Sequence, residues 1–324
     1  MKIAIVGCGL IGRKRAHALP AGALAVACDV APGRAAALAA DFGAEASTDW
    51  EATVARADVD AVVVATTHDM LAAIATRAAS LGKSVLVEKP GGRRASELRE
   101  LVRLATGGEI AVRVGFNHRY HRALRKAREL VDAGAIGTPQ YVRARYGHGG
   151  RPGYDREWRA DPALSGGGEA IDQGMHLIDL ARWFLGDFER VDGALATYFW
   201  DMPVEDNAFF LLRTRAGGIA QLHASWTEWK NLFSFELTGR LGKLEITGLG
   251  GSYGVERITH YAMQPAMGPP DTTAWEYPMA DDSWQRETAA WLDDVAARRP
   301  SSPGPQDALR ALEIVERVYE RDAP

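Results

Sequence analysis

The chain has 324 residues, 47% of them apolar and 25% charged, with a formal net charge of −4 at neutral pH and a pI near 6.1. That balance describes a globular protein with material for two domains, and it excludes the basic surface that nucleic-acid binding needs. No stretch approaches the roughly 20 uncharged apolar residues of a membrane span. The first strand begins so close to Met1 that no signal peptide precedes it, so the expected location is the cytoplasm. Cys8 and Cys28 are the only cysteines, and their number and spacing suit neither a disulfide framework nor a metal site.

In chain order, Ile3 to Val6 is a short apolar strand that runs into Gly7-x-Gly9-Leu10-Ile11-Gly12 and a helix over Arg13 to Leu19. This context makes the glycine motif a dinucleotide fingerprint: Gly7 for the tight turn, Gly9 for close approach of backbone N–H groups to a pyrophosphate, and Gly12 for packing of helix on strand. Leu10 and Ile11, within the glycine motif, are expected cofactor contacts, and the positive end of the helix that follows faces the phosphates. A second apolar run, AGALAVAC, ends at Asp29, 20 residues past Gly9, where a carboxylate accepts hydrogen bonds from the adenosine ribose. The same charge repels a 2′-phosphate, and Val30-Ala31-Pro32 follows in place of a Ser-Arg pair, so NAD is expected over NADP. Arg34, a turn or two on, is read as a solvated helix residue.

Strand and helix patterns then alternate to about residue 117: strand 60–65, helix 70–80, strand 85–87, helix 96–106 and strand 110–114. Strands that are apolar throughout predict a parallel sheet covered on both faces. Glu88-Lys89-Pro90 stands at the carboxyl end of the strand Val85 to Val87, the edge where such sheets bind ligands.

Beyond that point the pattern changes. A helix over 121–133 ends at Gly134, and a strand over 140–146 closes with Tyr146. The loop 147–168 offers His148, Arg151, Tyr154, Arg156, Trp158 and Arg159. A helix is predicted over 169–185, and strands over 193–200, 207–215, 219–226, 232–238 and 243–247, joined by turns short enough to imply antiparallel pairing. The proline-bearing segment 264–280 reads as irregular, and helices over 284–298 and 306–321 close the chain. The predicted helix 169–185 is apolar around most of its girth, with one polar stripe of Asp172, His176 and Asp179. Buried polar groups ask for a partner or a function, and both an internal Asp–His pair and a catalytic role satisfy that demand. No further His or Cys lies at ligand spacing, so no metal is expected.

Together, the glycine motif, Glu88-Lys89-Pro90, GFNHRY at 115–120 and GGGEAIDQGMHLIDL at 166–180 resemble the Gfo/Idh/MocA family of NAD(P)-dependent sugar and cyclitol oxidoreductases over essentially the whole chain. Thr67 stands where many members have proline, and Ser84 where many have histidine. The resemblance implies an α/β protein with an N-terminal doubly wound Rossmann domain (1–118) and a C-terminal α+β domain (119–324) with an open, mostly antiparallel sheet. That second domain would serve substrate binding and assembly into a homodimer or homotetramer.

The resemblance also implies that Lys89, Asp172 and His176 are catalytic, and that Thr66, Glu88 and Lys89 lie on the nicotinamide side of the cofactor. Substrate contacts are expected from Lys89, Asn117, Arg119, Tyr146, Arg151, Trp158, Asp172 and His176. Alcohol oxidation needs a base for the hydroxyl proton, and two assignments fit. Either His176 takes the proton while Lys89 stabilises the oxygen, or Lys89 is the base with a lowered pKa. Asp172 would hold a neighbouring hydroxyl. Aromatic and arginine side chains in the loop suit sugar faces and anionic groups, which makes a nucleotide sugar or sugar acid attractive. Two other functions share this sequence pattern: an NAD-assisted glycoside-processing enzyme that oxidises its sugar transiently, and a non-catalytic NAD-binding regulator.

Overall fold

The computed structural model describes residues 1–322. They fall into two compact units. The first comprises residues 1–116, 163–166 and 284–313, and the second residues 117–162, 167–283 and those from 314 onward.

The first unit is built on strands β1 (Ile3–Val6), β2 (Leu24–Cys28), β3 (Glu45–Ser47), β4 (Ala61–Val64), β5 (Ser84–Glu88) and β6 (Val112–Gly115), all parallel, in the order β3-β2-β1-β4-β5-β6. The connecting helices are α1 (Leu10–Ala18), α2 (Pro32–Phe42), α3 (Trp50–Ala55), α4 (His68–Ser80) and α5 (Ala95–Thr106). Local chemistry sets their ends. Pro32 starts α2 and left-handed Gly43 stops it, while the Asp49 carboxylate caps α3 by accepting from Ala52 N–H at 3.0 Å. Ile3, Ile5, Leu38, Val63 and Leu86 share one core with Trp291, which arrives from the far end of the chain. The strand order reverses between β1 and β4, and in such sheets ligands bind at the carboxyl ends beside that reversal.

The second unit holds an eight-stranded sheet. Its strands are β7 (Pro139–Gly147), β8 (Phe188–Ala196), β9 (Asn207–Thr214), β10 (Ile219–Ser225), β11 (Leu232–Gly239), β12 (Gly242–Thr247), β13 (Glu256–Ala262) and β14 (Asp271–Tyr277), in the order β14-β13-β12-β11-β7-β10-β9-β8. Every neighbouring pair is antiparallel except β7 with β10, where Tyr141 to Gly147 pair in parallel with Ile219 to Ser225. Burial alternates along β9 and β11, so one face is core and the other carries exposed side chains. Helix α6 (Arg122–Asp132) packs against β13, and α8 (Gly174–Leu185) against β7 and β10. Between them in sequence lies the one-turn helix α7 (Pro162–Ser165). Helix α9 (Ser283–Ala297) belongs largely to the first unit, and α10 (Pro305–Asp322) contributes residues to both.

Three expectations need correction. The helix predicted over 169–185 starts only at Gly174. Residues 169–173 form turns, in which Gly174 N–H reaches back five residues to Glu169 O at 2.9 Å in place of the four-residue step of an α-helix. The segment 264–280 is not irregular throughout. Its prolines 265, 269 and 270 fall in the connection, and Asp271–Tyr277 pairs with β13 as an edge strand, where proline-rich neighbours are tolerated. The strand predicted over 193–200 is shifted toward the N-terminus, to Phe188–Ala196, since residues 198–200 bend to donate to a buried carboxylate.

Candidate active site

In the first unit, the glycine loop turns tightly at Gly7, whose φ is +98° and whose added Cβ would lie 2.4 Å from Ala65 O. At Gly12 a Cβ would meet Gly7 O at 1.8 Å, so β1 and α1 can pack this closely only through glycine. Gly9 differs: a Cβ there would meet nothing within 4 Å. Its backbone borders open space at the start of α1, a helix whose N-terminus has no side-chain cap and whose first residue, Leu10, is exposed. Open backbone and uncapped N–H groups together suit a pyrophosphate. Ile11 follows, half-buried, in the first turn.

Asp29 stands just past β2 with 8% exposure. Its two carboxylate oxygens accept from Cys8 N–H and Ala31 N–H, each at 2.8 Å, so the acid is fixed to the glycine loop itself. Burial and the nearby Asp29 charge push the Cys8 thiol up to about 12, which leaves it an inert packing group. Thr66, half-buried after β4, bonds Thr67 O at 3.1 Å.

Glu88 ends β5 and half-buried Lys89 follows it. The Glu88 carboxylate accepts from Arg15 Nε at 2.6 Å, and the same guanidinium meets Glu287 at 2.7 Å and lies 4.5 Å from the Trp284 ring centre. Burial pushes the Glu287 carboxyl up, with Arg15 opposing and Glu88 reinforcing the shift. Local sequence patterns could not find Arg15 and Glu287, because the pairing joins residues more than 270 positions apart.

In the second unit, Asp172 lies in the turn before α8 and His176 in its first turn, 7% and 6% exposed. The His176 ring stacks on His118 at 3.8 Å between centroids, 27° from parallel. His118 in turn contacts the rings of Tyr146 and His121, and His121 Nδ1 is 3.3 Å from Glu256. Asn117 donates to Ser283 Oγ at 3.0 Å and lies 3.3 Å from His118 Nδ1. Half-buried Tyr146 sits against Tyr253, and burial holds its phenol well above the ordinary range, with Tyr253 adding to the shift.

The predicted polar stripe divides in two. Asp179 accepts both Nε and Nη2 of Arg119, at 2.8 and 2.5 Å, in a fully buried pair beneath the Trp183 ring. Arg119 is therefore an internal brace of this unit, with its guanidinium engaged by Asp179.

The loop after β7 is organised by Tyr154, buried against Trp226 at 5.1 Å and against His148 and Trp200. Arg151, largely exposed, pairs with Glu157 at 2.5 Å. Arg159 donates to Asp172 Oδ2 at 3.0 Å and lies over Trp158, 4.6 Å from that ring. Burial lowers the pKa of His148, which favours its neutral form. Among the described residues no group of three or more His, Cys, Asp or Glu could hold a metal ion, and no helix is long and apolar enough to cross a membrane.

Residues 1–116 match the family model for the oxidoreductase family with an NAD-binding Rossmann fold, and residues 124–245 match that for the GFO/IDH/MocA C-terminal domain. Levoglucosan dehydrogenase from Pseudarthrobacter phenanthrenivorans is 31% identical over 234 residues, 67% of this chain and 60% of that one. Inositol 2-dehydrogenase from Rhizobium meliloti is 26% identical over 331 residues, 98% and 95% of the two chains. The structure of levoglucosan dehydrogenase in complex with NADH shares the fold with a TM-score of 0.88 at 24% identity, covering 100% of this chain and 97% of that one.

Proposed function

The chain belongs to the Gfo/Idh/MocA family and is an oxidoreductase with an NAD-binding Rossmann domain, and from that premise we propose that its substrate is an uncharged sugar, anhydrosugar or cyclitol, oxidised or reduced at a secondary carbinol carbon. The observation that carries the substrate class is the pairing of Arg159 with Asp172 and of Arg151 with Glu157, which leaves exposed Arg156, 3.8 Å from Asp155, as the loosely held arginine of the loop. Two loop arginines already paired with carboxylates favour a neutral polyol over the nucleotide sugar or sugar acid that loop composition alone makes attractive. The names of the levoglucosan and inositol dehydrogenases point the same way.

Gly7, Gly9, Gly12 and the first N–H groups of α1, from Leu10 and Ile11, would hold the pyrophosphate, Asp29 the adenosine ribose, and Thr66, Glu88 and Lys89 the nicotinamide side. When bound, NAD supplies the carbon that accepts or returns the hydride. Within the second unit, Asp172 is oriented by Arg159 and would accept from a substrate hydroxyl. His176, held by its stack on His118, moves the hydroxyl proton. Lys89, in the first unit, would stabilise negative charge that develops on oxygen during the reaction. Asn117, Tyr146, Trp158 and the outer residues of the loop shape the polyol site. The first unit is the cofactor domain and the second the substrate domain. The proposed workplace is the cytoplasm, where nicotinamide cofactors are kept. The proposed assembly is a homodimer or homotetramer through the solvent face of the eight-stranded sheet, where Tyr141, Phe209, Leu211 and Ile219 are exposed.

The test is a spectrophotometric panel with NAD and levoglucosan, inositols, aldoses, aldonates and UDP-sugars. Turnover confined to the neutral compounds is expected. Lys89→Ala and His176→Ala should each lose kcat by about a hundredfold or more while keeping NAD affinity. Turnover only of charged sugars would overturn the substrate class, and NAD binding without any turnover would favour a regulator.

A further inference from the structure

Three consecutive backbone N–H groups ahead of α8 converge on one residue. Gly168 N–H donates to both carboxylate oxygens of Glu205, at 3.2 and 3.1 Å, Ala170 N–H donates to Oε1 at 3.0 Å, and Glu169 N–H donates to the Glu205 backbone oxygen at 3.0 Å. The Tyr319 hydroxyl, from the last turns of α10, adds a third bond to Oε1 at 2.8 Å. Glu205 is 8% exposed, and these partners are dipoles, so the carboxylate is held by N–H and O–H groups. The fit is close enough to require glycine twice. A Cβ on Gly168 would lie 2.0 Å from Glu205 O, and one on Gly167 would lie 2.0 Å from the Tyr319 oxygen.

The same turn delivers the reactive side chains. Gly168 gives its N–H to Glu205 while its carbonyl accepts Asp172 N–H at 3.1 Å, and His176 N–H closes on Gln173 O at 3.0 Å. Glu205 thus stands one peptide away from the bond that seats Asp172, and it caps the N–H groups of the turn that precedes α8. We propose that Glu205 is a positioning residue for the reaction, acting through the 168–172 turn to set Asp172 and His176, with Tyr319 completing its hydrogen bonding. The proposal rests on the reading that Asp172 and His176 act on substrate.

Glu205→Gln keeps the shape but turns an amide NH2 toward donors, and Tyr319→Phe removes one bond. Each variant is compared with the wild type by amide hydrogen exchange over residues 167–173, by NAD affinity, and by kcat and KM on the neutral polyol turned over fastest, counted per NAD-binding site. Exchange in that segment is expected to quicken about tenfold or more. Misplacement of the turn should lower kcat about tenfold or more with KM changed less than about threefold. NAD affinity should not change.

A Glu205 that merely stabilises the fold would lower the melting temperature and leave kcat per site at the wild-type value, and that result would overturn the proposal. Should Glu205→Gln fail to fold, Tyr319→Phe decides alone. Asp172→Asn and His176→Ala are run beside them. If those two lose turnover while Glu205→Gln and Tyr319→Phe keep it, the positioning role alone fails. If those two keep turnover, the reading of the site fails and the positioning role falls with it.

Discussion

Asp29 illustrates how a single side chain carries two duties. Each of its oxygens already accepts one backbone N–H, from Cys8 and Ala31, yet an ionised carboxylate has about four acceptor positions, so lone pairs remain for ribose hydroxyls. Replacing it with serine removes the charge that repels a 2′-phosphate and weakens two charge-assisted bonds to the glycine loop. With about 1.5 to 3 kcal/mol for hydrogen bonds to a charged group, the NAD-to-NADP ratio of kcat/KM should fall between about tenfold and a hundredfold in Asp29→Ser. Steady-state kinetics with both cofactors read this directly, and a wild-type enzyme that prefers NADP would refute the assignment. This position was legible because strand, glycine loop and acid lie within 29 consecutive residues. Arg15 was not legible: nothing near it in sequence shows that its guanidinium is shared by Glu88 and Glu287.

At the scale of elements, α8 shows where periodicity informs and where it misleads. Its apolar girth correctly marks a buried helix, and residues 174–185 are helical. The expected extra helical turn at 169–173 is replaced by an irregular one, capped by Glu205 from more than 30 residues downstream, in which Gly174 N–H reaches Glu169 O instead of a carbonyl four residues back. Asp179 looked like a third member of a reactive stripe, yet its partner is Arg119, 60 residues upstream. Removing one side of such a buried pair leaves the other charge stranded, at a cost of about 3 to 5 kcal/mol. Arg119→Ala should therefore lower unfolding free energy by that amount in urea titrations. A loss within about 0.5 kcal/mol would mean that the pair has no more weight than a surface contact. Strand β14 escaped notice for a different reason: the prolines that made its segment look irregular lie on either side of the paired residues, 265, 269 and 270 before them and 278 after.

For the molecule as a whole, the alternation of strands and helices over the first 117 residues was enough to give the parallel sheet, and the closely spaced strands beyond gave the second, mostly antiparallel one. What alternation does not reveal is which late segment completes which core. Residues 284–313 belong with the first unit, where Trp291 is fully buried and donates to Ala111 O at 3.3 Å, and where Asp294 meets buried Arg113. Trp291→Ala should cost about 3 to 5 kcal/mol, as large core truncations do. NAD affinity should weaken with it, since the residue shares a core with β1. Calorimetry on the intact chain measures both, and unchanged stability would show that the late segment is dispensable to that core.

The division of the first unit between two distant stretches bears on inheritance. A cofactor module exchanged between relatives by one crossover near residue 116 would carry Arg15 and Arg113 away from Glu287 and Asp294. Two buried cations would then face whatever the recipient supplies at those places. Moving both stretches together keeps each of these buried pairs intact. The same holds for grafting a new cofactor preference onto this scaffold.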